Sequence, residues 1–181
     1  MDEELPILGT EPLVVEYANT LHGGDHLGAP WCAAAGVAPF RDIVAARSLR
    51  DGIHALFTAA ATGAAPPYAA IALVNAVAAA APTYPQLVPQ PTGGLAADRR
   101  DTTTGDRALL GSLATACVEL LTDGRARLLR RCLTPDCHLF FLQHHPRRRY
   151  CHDSCAHRDR QARYYHRNKG NGRRSGTSET V

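Results

Sequence analysis

Leu13, Val14, Tyr17 and Leu21 recur at helical spacing between Glu11 and His22, so the first apolar pattern in the chain predicts an amphipathic helix. A Gly23-Gly24 turn leads to a short helical piece from Leu27 to Ala35, where Trp31, the single tryptophan, is sized to pack as a wedge. From Pro39 to Thr62 the positions Phe40, Ile43, Val44, Ile53, Leu56 and Phe57 predict a long helix, opened by proline and stopped at Gly63. Pro66-Pro67 begins another, carrying Tyr68, Ile71, Val74 and Val77 before an alanine run that ends at Pro82. Between Pro82 and Asp101 the helical period is lost. There Gln86-Leu87-Val88 and Gly94-Leu95-Ala96 flank a Pro-Thr-Gly-Gly turn, the pattern of a short hairpin. Leu109, Leu110, Leu113, Cys117, Leu120 and Leu121 then recur at three and four, in a helix that Thr104 or Asp106 can cap and Asp123-Gly124 ends.

At Gly124 the composition changes. Alanine becomes scarce and Arg, His and Cys replace it, which places a domain boundary there. Residues 1–124 hold 6 Arg against 13 Asp and Glu, a net −7; residues 125–181 hold 13 Arg and Lys169 against 4 acids, a net +10. Overall composition adds two exclusions. At 181 residues the chain is too short for a large multidomain enzyme, and 45% apolar with 20% charged residues is the balance of a folded protein. The acidic start, Met1-Asp2-Glu3-Glu4 followed by Pro6, has the wrong shape for a secretory signal. The longest apolar stretch, Ala69 to Ala81, is broken by Asn75 and falls short of the ~20 residues that cross a bilayer. The expectation is a cytoplasmic protein with no membrane partner.

Four cysteines lie close together as Cys132-x(4)-Cys137, thirteen residues, then Cys151-x(3)-Cys155. Zinc favours a tetrahedron of thiolates, and two short cysteine turns separated by a hairpin-length spacer can bring four sulfurs to one point. The segment 125–167 has too few apolar residues to build a core alone, so one structural zinc ion held by Cys132, Cys137, Cys151 and Cys155 is the expected organiser. Two disulfides would need an oxidising compartment. Neither pair has the spacing of a redox dithiol, and a catalytic zinc would need an open position. His138, His144, His145, His152 and His157 are near enough to replace a cysteine, but four thiolates make them unnecessary. Between the pairs, His138-Leu-Phe-Phe-Leu142 reads as a strand, with Arg127 to Arg131 as its partner. Cys32 and Cys117 sit in apolar helical contexts and are expected in the core.

After Cys155 the chain has no Gly or Pro as far as Arg167, and Asp153 or Ser154 can cap a helix there. Arg160, Arg163, Tyr164 and Arg167 share one face of it; Arg158, Ala162 and Tyr165 share another. With Arg147, Arg148 and Arg149 before the third cysteine, this module presents arginines suited to phosphate contacts. The expected architecture is mainly α. An N-terminal helical bundle with a short β-hairpin (1–124) precedes a small zinc-ribbon-like module ending in a basic helix (125–167) and a disordered tail (168–181).

The two cysteine knuckles, Phe140-Phe141, the Arg147–Arg149 run and the basic helix resemble the bacterial CGNR zinc finger. The Leu13 to His22 segment with Asn19-Thr20, the Trp31 region, the helix from Pro39 and the Asn75 helix resemble the alanine-rich ABATE domain that precedes it in that family. The resemblance covers the chain to about residue 168 and implies a stress-induced transcriptional regulator that binds zinc and DNA. It carries the ligand set over onto Cys132, Cys137, Cys151 and Cys155. The chain departs from the family motif at Cys155-Ala156-His157-Arg158, in place of Cys-Gly-Asn-Arg, and at Tyr150, in place of the usual Trp. Arg158 is retained.

The leading expectation is therefore a nucleic-acid-binding regulator, with DNA as the partner and Arg147, Arg148, Arg149, Arg158, Arg160, Arg163, Tyr164 and Arg167 as contacts. In that reading the helical domain senses a small-molecule ligand or forms a homodimer. The alternatives are RNA binding and a zinc-ribbon adaptor that docks on an acidic protein. His22, Asp25, His26 and His54 have no recognised catalytic spacing, and no enzyme activity is expected.

Overall fold

The computed structural model describes residues 6–171, with side chains through residue 165. It is mainly α, as the periodicity predicts. The elements are α1 (Leu13–Asn19), α2 (Ala29–Ala34), α3 (Ile43–Thr62), α4 (Tyr68–Ala80), β1 (Thr83–Pro89), β2 (Leu95–Asp101), α5 (Gly105–Thr122), β3 (Leu129–Arg131), β4 (Phe140–Leu142) and α6 (Asp153–Asn171), with a 3-10 turn at Arg125–Leu128.

Helix α3 is the axis of the bundle. Asp42 caps it by accepting the Ala45 N–H at 2.9 Å, and Gly63 ends it in the left-handed region at φ 73°. Its Ala46, Leu49, Ile53, Leu56 and Phe57 are buried against α1, α4, α5 and β3. Trp31 is fully buried, its ring centroid 6.0 Å from that of Tyr17, which confirms the wedge. Cys32 and Cys117 are in the core, and burial pushes the Cys117 thiol up to about 12.

Four expectations are corrected. The hairpin strands, Thr83–Pro89 and Leu95–Asp101, are longer than the expected Gln86–Val88 and Gly94–Ala96 and take in Pro85 and Pro89. Proline lacks only an N–H, and in a two-stranded ribbon every strand has an outward edge where none is needed. Thr104 stands at the start of α5 without a capping hydrogen bond, and Asp106 accepts the N–H groups of Arg41 and Asp42, both at 2.7 Å, so it braces the start of α3. Helix α6 begins before Cys155, with His152 at the cap: its ring Nδ1 accepts the Ser154 N–H at 3.2 Å, the role expected of Asp153 or Ser154. The helix runs on to Asn171, past the expected boundary at 168. The rest of the expected tail, 172–181, lies outside the described residues.

Strand β4 joins the two halves of the chain. Successive strand residues point to opposite faces, so Phe140 and Leu142 enter the bundle core while Leu139 and Phe141 enter a second core with the four cysteines. Leu129 of β3, paired with Leu142, also belongs to the bundle core. The outer edge of β4 is closed by side chains from the N-terminal region, as a third strand would close it. Asn19 Oδ1 accepts the Phe140 N–H at 2.7 Å and its Nδ2 donates to the Phe140 carbonyl at 3.0 Å; Glu11 Oε2 accepts the Leu142 N–H at 2.8 Å. Helix α1, expected to show one core face, is consequently buried from Val14 through Asn19.

Candidate metal centre

Each cysteine is set by a different piece of backbone. Cys132 follows β3 and donates its N–H to the Leu139 carbonyl at 3.0 Å, extending the β3–β4 ladder by one bond. Cys137 closes a turn on the Thr134 carbonyl at 3.0 Å. Leu133 donates its N–H to the Arg149 carbonyl at 3.3 Å, which draws the second knuckle onto the first. Cys155 lies in the first turn of α6. Thr134, itself buried, donates its hydroxyl to the Cys155 carbonyl at 3.2 Å and ties the first knuckle to that helix.

The four Sγ atoms lie within 4.8 Å of one another, and all four residues are buried. None is in a disulfide. Zinc–sulfur bonds of about 2.3 Å in a tetrahedron put sulfurs about 3.8 Å apart. Cys137 to Cys151 and Cys151 to Cys155 are each 3.6 Å, so the donor set fits one zinc ion. Electrostatics point the same way. Hydrogen bonds from Cys137 and Cys151 hold the Cys132 thiol far below its ordinary value, while the Cys132 sulfur pushes both partners up. With protons alone the cluster cannot carry four adjacent anions, and a dication removes that repulsion. The four clustered cysteines that could hold the ion are the set the spacing points to, with no histidine in the cluster among the described residues.

The arginines separate into two groups, and the sequence does not distinguish them. Arg148 was expected to face phosphate, but it is built into the module. Its guanidinium lies 4.6 Å from the Phe141 ring centroid, pairs with the buried Glu11 carboxylate at 2.9 Å and donates to the carbonyls of Leu142 and Cys151. Arg158 donates from Nη2 to Cys155 Sγ at 3.0 Å. Arg163 donates from Nε to Asp159 Oδ2 at 2.7 Å and from Nη2 to the Tyr150 hydroxyl at 2.7 Å. Tyr150 donates to the same Asp159 oxygen at 2.6 Å, pinning α6 to the second knuckle, and Arg163 with Tyr150 holds the Asp159 carboxyl below its usual range. Arg147, Arg149 and Arg160 are exposed, with no side-chain partner among the described residues, and Tyr164 is exposed beside them in sequence. The Arg167 side chain lies outside the described residues.

Glu11, Asn19, Tyr150 and Asp159 were missed as supports of the module. Only Asn19 carried a signal, as one of two polar residues, with Glu16, on a mostly apolar helix. Of the polar residues considered for an enzyme site, His26 lies with its Nε2 2.8 Å from the His22 carbonyl oxygen. Asp25 pairs with Arg47 and Arg50, His54 packs on Phe140 with ring centroids 5.1 Å apart, and His22 accepts the His138 N–H at 3.3 Å. Among the described residues no helix is long and apolar enough to cross a membrane.

Residues 11–124 match the ABATE family model, described as "Putative stress-induced transcription regulator", and residues 128–168 match the CGNR zinc finger model. Among curated proteins no match to this chain is found.

Proposed function

The chain belongs to the ABATE family, with a zinc-binding CGNR finger behind that domain, and from this premise we propose that it regulates transcription by gripping DNA through phosphate contacts of the finger. The observation that carries the reading is the set of exposed arginines with no side-chain partner among the described residues, Arg147 and Arg149 beside the second knuckle and Arg160 on α6. A guanidinium already committed to a carboxylate or a sulfur has fewer N–H donors and less uncompensated charge to offer a phosphate. Free guanidiniums on a metal-anchored frame keep both, and they release counterions on contact.

The test is fluorescence anisotropy of the zinc-loaded full chain on duplex DNA across a salt series. Replacing Arg147, Arg149 and Arg160 together by Ala is expected to make the slope of log affinity against log salt shallower by about 2.7, three contacts at roughly 0.9 each. An unchanged slope removes these residues from the interface. Tighter binding of RNA of the same sequence would favour RNA as the partner, and no binding of either at low salt would favour the protein adaptor.

The helical domain's share of the proposal is self-association. From Gly52 to Ala97 the sequence has no Asp, Glu, Lys or Arg. Tyr68, Leu87 and Leu95 in that stretch are 84%, 71% and 69% exposed. An exposed surface without charge is matched best by another without charge, and a second copy of this chain supplies one. Sedimentation velocity is expected to show a dimer that Leu87→Glu with Leu95→Glu converts to monomer. A monomeric parent protein at micromolar concentration overturns this part.

A further inference from the structure

We infer that Arg158 is a positioning residue of the zinc centre, whose guanidinium holds the Cys155 thiolate in place and covers the charge that zinc leaves on it. Four thiolates around a dication carry a net charge of −2, spread over the sulfur lone pairs. A guanidinium N–H 3.0 Å from one of those sulfurs forms a charge-assisted hydrogen bond and brings the assembly to −1.

Position makes the contact structural as well as electrostatic. Arg158 and Cys155 are three residues apart on α6, so both project from one face of its first turns. Cys155 reaches the metal through a side chain that can turn about its Cα–Cβ bond. The Arg158 bond to the same sulfur holds that torsion, so the sulfur keeps one direction relative to the helix. Ala156 and His157 stand where the family motif has Gly and Asn, so neither the glycine's freedom nor the asparagine's amide is present to set this turn.

The sulfurs also need covering. A cavity of about 270 Å³ is walled by Pro6, Leu8, His22 and His152 and reaches Cys137, Cys151 and Cys155, with Arg158 on its wall. Small electrophiles that enter it meet thiolates, and a sulfur that accepts a hydrogen bond is a weaker nucleophile. Cys155 is the one sulfur for which an arginine supplies that bond among the described residues. This inference concerns the zinc site and stands whether or not the finger binds nucleic acid.

The experiment compares zinc-loaded full-length protein with Arg158→Gln and Arg158→Lys. Zinc affinity, read by competition with a chromophoric chelator, is expected to fall roughly 10-fold to 100-fold in Arg158→Gln, with partial recovery in Arg158→Lys. In the cobalt-substituted proteins the sulfur-to-metal charge-transfer band is expected to move to longer wavelength in Arg158→Gln, because the uncovered sulfur gives up charge more easily. Limited alkylation with N-ethylmaleimide, mapped by mass spectrometry, should show Cys155 modified first in Arg158→Gln only. General loosening would expose all four cysteines alike and leave the cobalt band in place. Either that pattern or parental zinc affinity in Arg158→Gln overturns the assignment. If Arg158→Gln does not fold, the band position and zinc affinity of Arg158→Lys decide: both unchanged from the parent overturns it.

Discussion

Asn19 shows how much one side chain can decide. Its amide supplies both a donor and an acceptor to the backbone of Phe140, 121 residues away in sequence, at a buried site. Asn19→Ala leaves that N–H and C=O without partners, at a cost of about 1–3 kcal/mol for each group. The expected result is a loss of roughly 3 kcal/mol in urea unfolding with the four-cysteine site still assembling at saturating zinc; a change within experimental error would mean water replaces the amide. The arginines teach the converse. Arg147, Arg148 and Arg149 are equivalent on the page of the sequence, yet Arg148 is the one enclosed by Phe141, Glu11 and three carbonyls. The cysteines were legible because metal ligation demands a residue type at a spacing. The fate of Arg148 depends on Glu11, brought in from another segment, whereas Arg158 and Arg163 meet Cys155 and Asp159 three and four residues away on their own helix, a local relation the sequence reading left unused.

At the scale of elements, each α-helix among the described residues was located from the sequence, most by apolar spacing and α6 by its freedom from Gly and Pro. The caps differ from those expected: Asp106 is drawn into a tertiary contact at the start of α3, and His152, one residue before the expected caps, opens α6 locally. Strand β4 was legible as a strand from His138-Leu-Phe-Phe-Leu142, but a run of apolar residues does not say that its two faces serve different cores. The packing of α4 on α5 turns on one small residue. A Cβ at Gly111 would lie 2.3 Å from the Ala81 Cβ and 3.1 Å from the Ala81 carbonyl oxygen, so the helices cannot keep their distance if a side chain is added. Gly111→Ala gains helix propensity of about 1 kcal/mol, yet the clash is with a neighbour that has no flexible end to move. A net destabilisation of about 1–3 kcal/mol is expected in thermal or urea unfolding. An increase in stability would show that the α4–α5 junction can separate freely.

Over the whole molecule, the acidic bundle and the basic finger share one hydrophobic core through Leu129, Phe140 and Leu142. Zinc binding is therefore expected to stabilise the bundle as well as the finger, because a ligand that binds the folded form shifts the whole cooperative unit. Chelating the zinc should lower the thermal midpoint reported by Trp31, which lies in the bundle a hundred residues before Cys132 in sequence. A Trp31 melting curve identical with and without zinc would mean that the two halves unfold independently. The pattern of residues along the chain determined the helices, the ribbons, the four sulfur donors and the segregation of charge, because each depends on local spacing or simple counting. The fold decided that Arg148, alone of its run, is enclosed and that one strand serves two cores. Both depend on Glu11, Asn19 and β4 meeting across more than a hundred residues, and no local pattern encodes a meeting at that distance.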